Sequence, residues 1–298
     1  MRNQYSKSYL YFLLIILAAL AFACEDEISV PSQFESSQLA IDAWLTNVSE
    51  PQTITLSQTV DYFEGGVPAT VENATIRVCN DSTQTCFDFL HTTDGRYVWE
   101  PINDETFGTV GDAFTLTVIV DGNTYLSNEQ INRTAEIDSI GIEFEEESIA
   151  FEEGLYGQLY ARDLPGRGDT YWLRTYKNDT LLNRPEEVVA VYDATFDAGA
   201  DIDGIYFILG LRLGINEIDD DGAFVPYVSG DHIRAEVHSI NNTAFSFLNI
   251  AQEQILNEGI FAVPVANTPG NVRHAETGNT ILGVFNIAEV SVMERAVE

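Results

Sequence analysis

The chain has 298 residues, 45% of them apolar, and carries 47 acidic against 14 basic side chains for a formal net charge of −33. Such a surface repels phosphate backbones, because nucleic-acid binding depends on Lys and Arg displacing counterions, and it repels anionic lipid for the same reason. Length and apolar content allow two ordinary cores, so two domains are the default expectation.

The first element is a basic stub (Arg2, Lys7) followed by an unbroken apolar run from Tyr9 to Ala23, then Cys24 and the acidic triplet Glu25, Asp26 and Glu27. The run is shorter than the about 20 apolar residues a membrane span needs, and its end is small-residue chemistry (Ala21, Ala23) suited to a peptidase. This layout resembles a bacterial lipoprotein signal: residues 1–23 removed, Cys24 the lipidated N-terminus. More than one acyl chain, at roughly 0.8 kcal/mol per buried methylene, anchors a protein firmly. An ordinary secretory peptide cut after Ala23 is the alternative, since a lipobox prefers Leu where Ala21 stands and a small residue where Phe22 stands. The acidic triplet resembles the surface-export signal of Bacteroidota lipoproteins, which implies the outer membrane and its cell-surface leaflet. Residues 24–37, acidic and serine-containing with Pro31, read as a tether. Without residues 1–23, which hold two basic side chains and no acidic ones, 12 basic face 47 acidic side chains.

Beyond the tether the chain is mainly β. Period-two alternation is plain in Leu39–Leu45 and Phe114–Val120, and Asp121-Gly122-Asn123 turns the latter into Thr124–Ser127 as a hairpin. Further strands are expected at 53–60, 71–78, 86–90 and 97–100. Short strands at this spacing predict an Ig-like β-sandwich over residues 38–132. Within it, two strand-like segments flank the polar run Asn80–Thr85, so folding this hairpin sets Cys79 opposite Cys86. A disulfide there suits an exported protein and closes a small loop worth about 2–3 kcal/mol. A metal role is disfavoured because no further ligands lie nearby.

Residues 133–298 read as a second β-rich domain, with strands expected at 137–144, 155–161, 170–176, 188–192, 206–213, 232–240, 261–265 and 281–292. One segment departs from this pattern. Phe245, Leu248, Ala251, Gln252 and Ile255 have helical spacing, Asn241, Asn242 or Thr243 can cap the start and Gly259 can end it, which predicts one α-helix over 243–258.

Several segments then line up in order. Trp44-Leu45-Thr46-Asn47, Thr53-Ile54-Thr55-Leu56-Ser57, Val71-Glu72-Asn73-Ala74-Thr75-Ile76 and Asp94-Gly95-Arg96-Tyr97 lie in the first half. Asp138-Ser139-Ile140, Gly230–Val237, Phe245, Thr268-Pro269-Gly270-Asn271-Val272 and Gly283-Val284-Phe285 lie in the second. Together they resemble a Bacteroidota outer-membrane lipoprotein family known as domain of unknown function 4249, over nearly the whole mature chain. The stretch 71–97 is also similar to carboxypeptidase-regulatory-like and immunoglobulin-like modules, which are binding or spacer domains. Membership implies an accessory role beside TonB-dependent outer-membrane receptors and carries over no catalytic residue.

Chemistry-bearing patterns are sparse. There is no Gly-x-Ser-x-Gly elbow, His-Glu-x-x-His pair or phosphate-binding glycine loop, so an enzyme, a hydrolase, is the minor expectation and no cofactor is called for. His232 and His238 are read on an outward, solvated strand face with Arg234 and Glu236, about 20 Å apart and unable to close on one ion. Asp219 and Asp221, and Asp201 and Asp203, are weak calcium candidates; the bidentate Glu that would complete the first pattern is replaced by Val228. Trp44, on the face opposite Leu39, Ile41 and Leu45, is read as packing between domains. Asp-Ser/Thr-x tripeptides make Ser82, Ser139 and Thr180 O-glycosylation candidates, Ser82 foremost because it lies in a turn. The expectation is a non-enzymatic surface lipoprotein, accessory to a TonB-dependent transporter; the alternative is a free-standing glycan-binding or adhesin module. Glycan binding predicts a cleft lined by Trp or Tyr with amides, docking an extended apolar patch, and hydrolysis converging carboxylates.

Overall fold

A computed structural model describes residues 37–60, 66–148, 151–195, 203–207, 211–257 and 267–298. The signal segment, Cys24, the acidic triplet, the tether up to residue 36, Asp201 and the strand expected at 261–265 lie outside these residues. The described part is mainly β with one helix. Among the described residues no helix is long and apolar enough to cross a membrane.

Strands β1 (Leu39–Thr46), β2 (Gln52–Gln58), β3 (Thr75–Asn80), β4 (Thr85–His91), β5 (Arg96–Trp99), β6 (Ala113–Val120) and β7 (Asn123–Gln130) make up most of a nine-stranded sheet. The alternation that marked them in sequence has a simple basis: Leu39, Ile41, Ala43 and Leu45 of β1, and Phe114, Leu116 and Val118 of β6, all point into one core. Trp99, Phe87 and Phe107 pack in the same core with ring centroids 4.6–5.1 Å apart. Tyr97 crosses it, donating from its hydroxyl to the Val71 carbonyl (3.0 Å) and accepting from the Ala74 N–H (2.9 Å). Cys79 pairs with Cys86 across the β3–β4 hairpin, and the two form the expected disulfide.

Next in the chain come β8 (Ile137–Glu145), β9 (Gly154–Ala161), β10 (Thr170–Lys177), β11 (Thr180–Leu181), β12 (Val189–Tyr192) and β13 (His232–Ser239). They are followed by helix α1 (Asn242–Ile255) and strands β14 (Arg273–His274), β15 (Leu282–Ala288) and β16 (Val290–Ala296). A second sheet runs β11-β10-β13-β16, with β12 also paired to β10. Its one face shares a core with the β8–β9 hairpin, and α1 covers part of the other through Ala244, Phe245 and Leu248. The helix is capped by Asn241, whose side chain accepts from the Ala244 N–H (2.7 Å).

Of the strand expected at 206–213, residues 208–210 lie outside the described residues, and Tyr206 and Leu211 make isolated bridges to Arg162 and Leu159. Two expectations need correction. The run 281–292 is two strands broken at Glu289, each in a different sheet. The boundary at 132/133 is crossed from behind, because β14 and β15 return to the first sheet: β14 pairs with β7, and β15 lies parallel to β1 from Ala40↔Leu282 to Thr46↔Ala288.

That return is sewn by amides. The Asn271 side chain donates to Phe285 O (2.7 Å) and accepts from Phe285 N–H (2.8 Å), and it donates to Glu129 on β7 (2.6 Å). Asn286 accepts from the Asn241 N–H and donates to Ser239 O, tying β15 to the helix cap and to β13. Trp44 meets Trp172 edge-on at 5.0 Å and Phe247 of α1 at 6.0 Å, the packing between the two sheets that its outward face called for.

At Gly283, φ is +103°, and a Cβ there would stand 1.9 Å from the carbonyl oxygen of Ile41. Gly283→Ala therefore breaks the β1–β15 ladder at backbone rather than at a yielding side chain, and loss of more than about 3 kcal/mol is expected, read as a collapse of the urea midpoint. Burial pushes the Glu129 carboxyl up to about 6 against hydrogen bonds from Asn271 and Asn241. An acid raised on folding favours the fold below its unfolded pKa, and that contribution is lost as pH rises toward 6. Glu129→Gln keeps an acceptor for Asn271, so it should leave stability at pH 4 unchanged and raise it at pH 7.5 by about 1 kcal/mol, the full shift being discounted for partial exposure.

Candidate functional site

Polar chemistry concentrates in three places. The first is a carboxylate cluster that no linear motif announces. Asp163 follows β9, Asp169 precedes β10 and Asp193 follows β12; antiparallel pairing of Thr170 with Tyr192 sets the last two side by side. One oxygen from each lies within 4.8 Å of the others, and these are the described residues that could share a cation. Asp163 and Asp193 are 1% and 2% exposed.

The oxygens of these carboxylates organise the loop around them. Asp163 accepts from the Tyr171 hydroxyl (2.7 Å) and from the Gly204 N–H (2.9 Å). Asp193 accepts from the N–H groups of Gly168 (2.7 Å) and Asp169 (3.0 Å). Asp169 is ion-paired with Arg133, which also donates to Gly166 O. Burial pushes the Asp163 carboxyl up, with the charges of Asp193 and Asp169 adding to it and the two hydrogen bonds opposing. Tyr171 is pushed up as well, by burial and by its bond to Asp163, so its proton stays in place to donate. Convergence of carboxylates is what hydrolysis would require, yet here Asp163 and Asp193 are buried and committed to backbone and phenol donors and Asp169 is committed to Arg133, which is the chemistry of a loop clamp.

The second place is a groove of about 710 Å³ at an edge of the nine-stranded sheet. Gln38, Gln58, Asn123 and Asn279 line it with Tyr125 and His274, whose rings meet edge-on at 5.3 Å. His274 Nδ1 accepts from the N–H groups of Glu276 and Thr277, which leaves Nε2 to donate to Asn123 Oδ1 (3.2 Å) in the neutral ring. Volume and lining suit a polar, hydroxyl-rich ligand. Ser37, the first described residue, stands on its rim.

The third is the face of the second sheet carrying Trp172, Arg174, Arg234, Glu236 and His238. Here the solvated reading of the strand is corrected: Glu236 and His238 are 4% and 5% exposed, because Trp172 lies across from His238 and Trp44 closes over Trp172. Glu236 gives one oxygen to Arg234 (2.5 Å) and the other to His238 Nε2 (2.7 Å). Burial works to raise Glu236, but His238, Arg234 and Arg174 together hold it below the usual carboxylate range, while burial lowers His238.

The residues singled out from sequence are scattered. Asp219 caps its own turn, accepting from the N–H groups of Asp221 and Ala223, and Asp203 accepts from the Gly166 N–H beside the carboxylate cluster. Ser82, Ser139 and Thr180 are all exposed. Asp193→Ala removes the acceptor of two amides, so exchange of the Gly168 and Asp169 N–H groups should accelerate about 30-fold, corresponding to about 2 kcal/mol, as read by hydrogen–deuterium exchange.

The segments that carried the family resemblance now have physical roles. Gly95 turns at φ +70° where a Cβ would stand 2.3 Å from Leu56 O, Tyr97 spans the first core, and Asn271 and Gly283 hold the return of β15. No curated protein matches the chain. The profile of the domain of unknown function DUF4249 matches residues 25–293, and the chain belongs to that family.

Proposed function

We propose that this is a non-enzymatic lipoprotein held on the outer-membrane surface through Cys24, serving as an accessory, docking or ligand-presenting subunit of a TonB-dependent transporter. The observation that carries the reading is the order of segments: a short apolar run, Cys24 and an acidic triplet stand directly before the family-matched body, which begins at residue 25. Acyl chains on Cys24 supply the membrane affinity that a strongly acidic body cannot. The burial of Asp163 and Asp193, their commitment to backbone and phenol donors, and the ion pair of Asp169 with Arg133 support a binding rather than a hydrolytic role.

A free-standing glycan-binding module is the second reading, and the groove of Tyr125, His274 and four amide side chains favours it. Affinity purification of the detergent-solubilised protein from its native membrane separates the two. Recovery of an outer-membrane barrel in stoichiometric amount is expected; recovery of the lipoprotein alone would overturn the accessory role in favour of the glycan reading. Cys24→Ala should move the protein from the membrane to the soluble fraction after ultracentrifugation, and continued sedimentation with the membrane would remove the lipid anchor from the account.

A further inference from the structure

Strand pairing arranges one face of the second sheet as three rows of three. Trp172, His238 and Val290 form the first row, Arg174, Glu236 and Val292 the second, and Tyr176, Arg234 and Glu294 the third. The opposite face, with Leu173, Ala235 and Val237, is buried in the core shared with the β8–β9 hairpin. Trp44 closes the first row. Toward the other rows the face opens, and Val292 is 45% exposed.

Arg174 stands on the β10 side of the second row, whose middle position is Glu236, and forms no ion pair with any described residue. It lies directly across from Glu236, but both Glu236 oxygens are taken, by Arg234 and by His238. Glu294 faces His232 at 3.6 Å. No described residue lies within ion-pair distance of Arg174, and its Nε is a buried donor with no partner. The guanidinium is held by ring faces instead, 5.0 Å from the centroid of Trp172 and 5.7 Å from that of Tyr176, while Arg234 lies over the other side of the row at 5.2 Å from Tyr176. A buried N–H without an acceptor costs about 1–3 kcal/mol, so a planar acceptor that reaches it gains more there than at a solvated arginine.

We propose that this face docks a partner protein, which inserts one Asp or Glu carboxylate between Trp172 and Tyr176 onto Arg174 and covers Val292 with apolar side chains. Trp, Tyr and Arg around an exposed aliphatic side chain are the composition that concentrates binding energy in protein interfaces. Charge fixes the partner further. A body with a net charge of −33 repels an acidic protein at long range, so the inserted carboxylate belongs to a partner surface that is otherwise neutral or basic. The inference deepens the docking reading above, and it uses neither the lipid anchor nor the transporter.

The test uses the full mature chain in detergent micelles and three probes: a peptide of sequence acetyl-Lys-Leu-Glu-Leu-Lys-amide, the same peptide with Gln for Glu, and acetate. The readout is the Arg174 Nε–H resonance in a 15N-resolved NMR spectrum. We expect the Glu peptide to shift that resonance and to bind at least 10-fold more tightly than the Gln peptide or acetate. Arg174→Gln should reduce Glu-peptide affinity to the level of the Gln peptide. Val292→Asp, at an exposed position two strands from Arg174 with Glu236 between them, removes the apolar contact and sets a like charge against the Glu of the peptide, so it should also weaken Glu-peptide binding at least 10-fold.

An unshifted resonance, equal binding of the two peptides, or acetate binding as tightly as the Glu peptide would overturn the proposal. The two readings also fail separately. A barrel that co-purifies equally with Arg174→Gln and Val292→Asp would retain the accessory role and discard this face, whereas a selective Glu-peptide response with no barrel recovered would retain the face and discard the accessory role.

Discussion

The parallel pairing of β15 with β1 is the contact on which the rest of the structure depends. It joins residues near the two ends of the folded body and completes the nine-stranded sheet; β15 also carries Asn286, which reaches across to Ser239 of the second sheet. Parallel neighbours need a long crossover, and here it runs through β2 to β14, taking in the helix and every strand of the second sheet but β16. The join is tight as well as long: Gly283 admits Ile41 so closely that any side chain would strike the carbonyl, and Asn271 supplies from its side chain the hydrogen bonds of a strand to Phe285. Sheets that sequence would separate at residue 132 are therefore a single construction, with Trp44, Trp172 and Phe247 filling the space between them.

This construction also explains why the chemistry lies where it does. Strand ends that converge near β10 bring together three carboxylates, and the loop between Asp163 and Asp169 is held in shape by those same groups. A face of β10 and β13 that would be bare in an isolated sheet is half-covered by the first sheet and α1. The covering is uneven: it buries His238 and Glu236, and it leaves Arg174 between two rings with its central donor unused.

What could be read directly was local. Alternation placed β1 and β6 because a sheet with one buried face imposes period two, and the Cys79–Cys86 pair followed from hairpin register. The helix was legible from Phe245 and Leu248 with Asn241 before them, although it stops at Ile255, a side chain that the spacing alone would have buried and that is exposed. What could not be read depends on distant contacts. His238 has the surroundings of a solvated strand in sequence, and only Trp172 and Trp44 make it an interior residue. Asp163, Asp169 and Asp193 have no motif spacing because their proximity is created by strand pairing. Asn271 and Gly283 carried the family resemblance, but their purpose is visible only beside Phe285 and Ile41.

The late position of β15 governs the order in which the molecule can be made. A chain made from its N-terminus presents β1 long before residue 282 arrives, so β1 must wait with one edge unsatisfied until almost the whole polypeptide has emerged. Contacts of such large sequence separation form slowly, because loop closure comes before the contacts that offset its entropy. The first sheet cannot mature as an early, independent folding unit, and the two halves, once closed, are bound to open together.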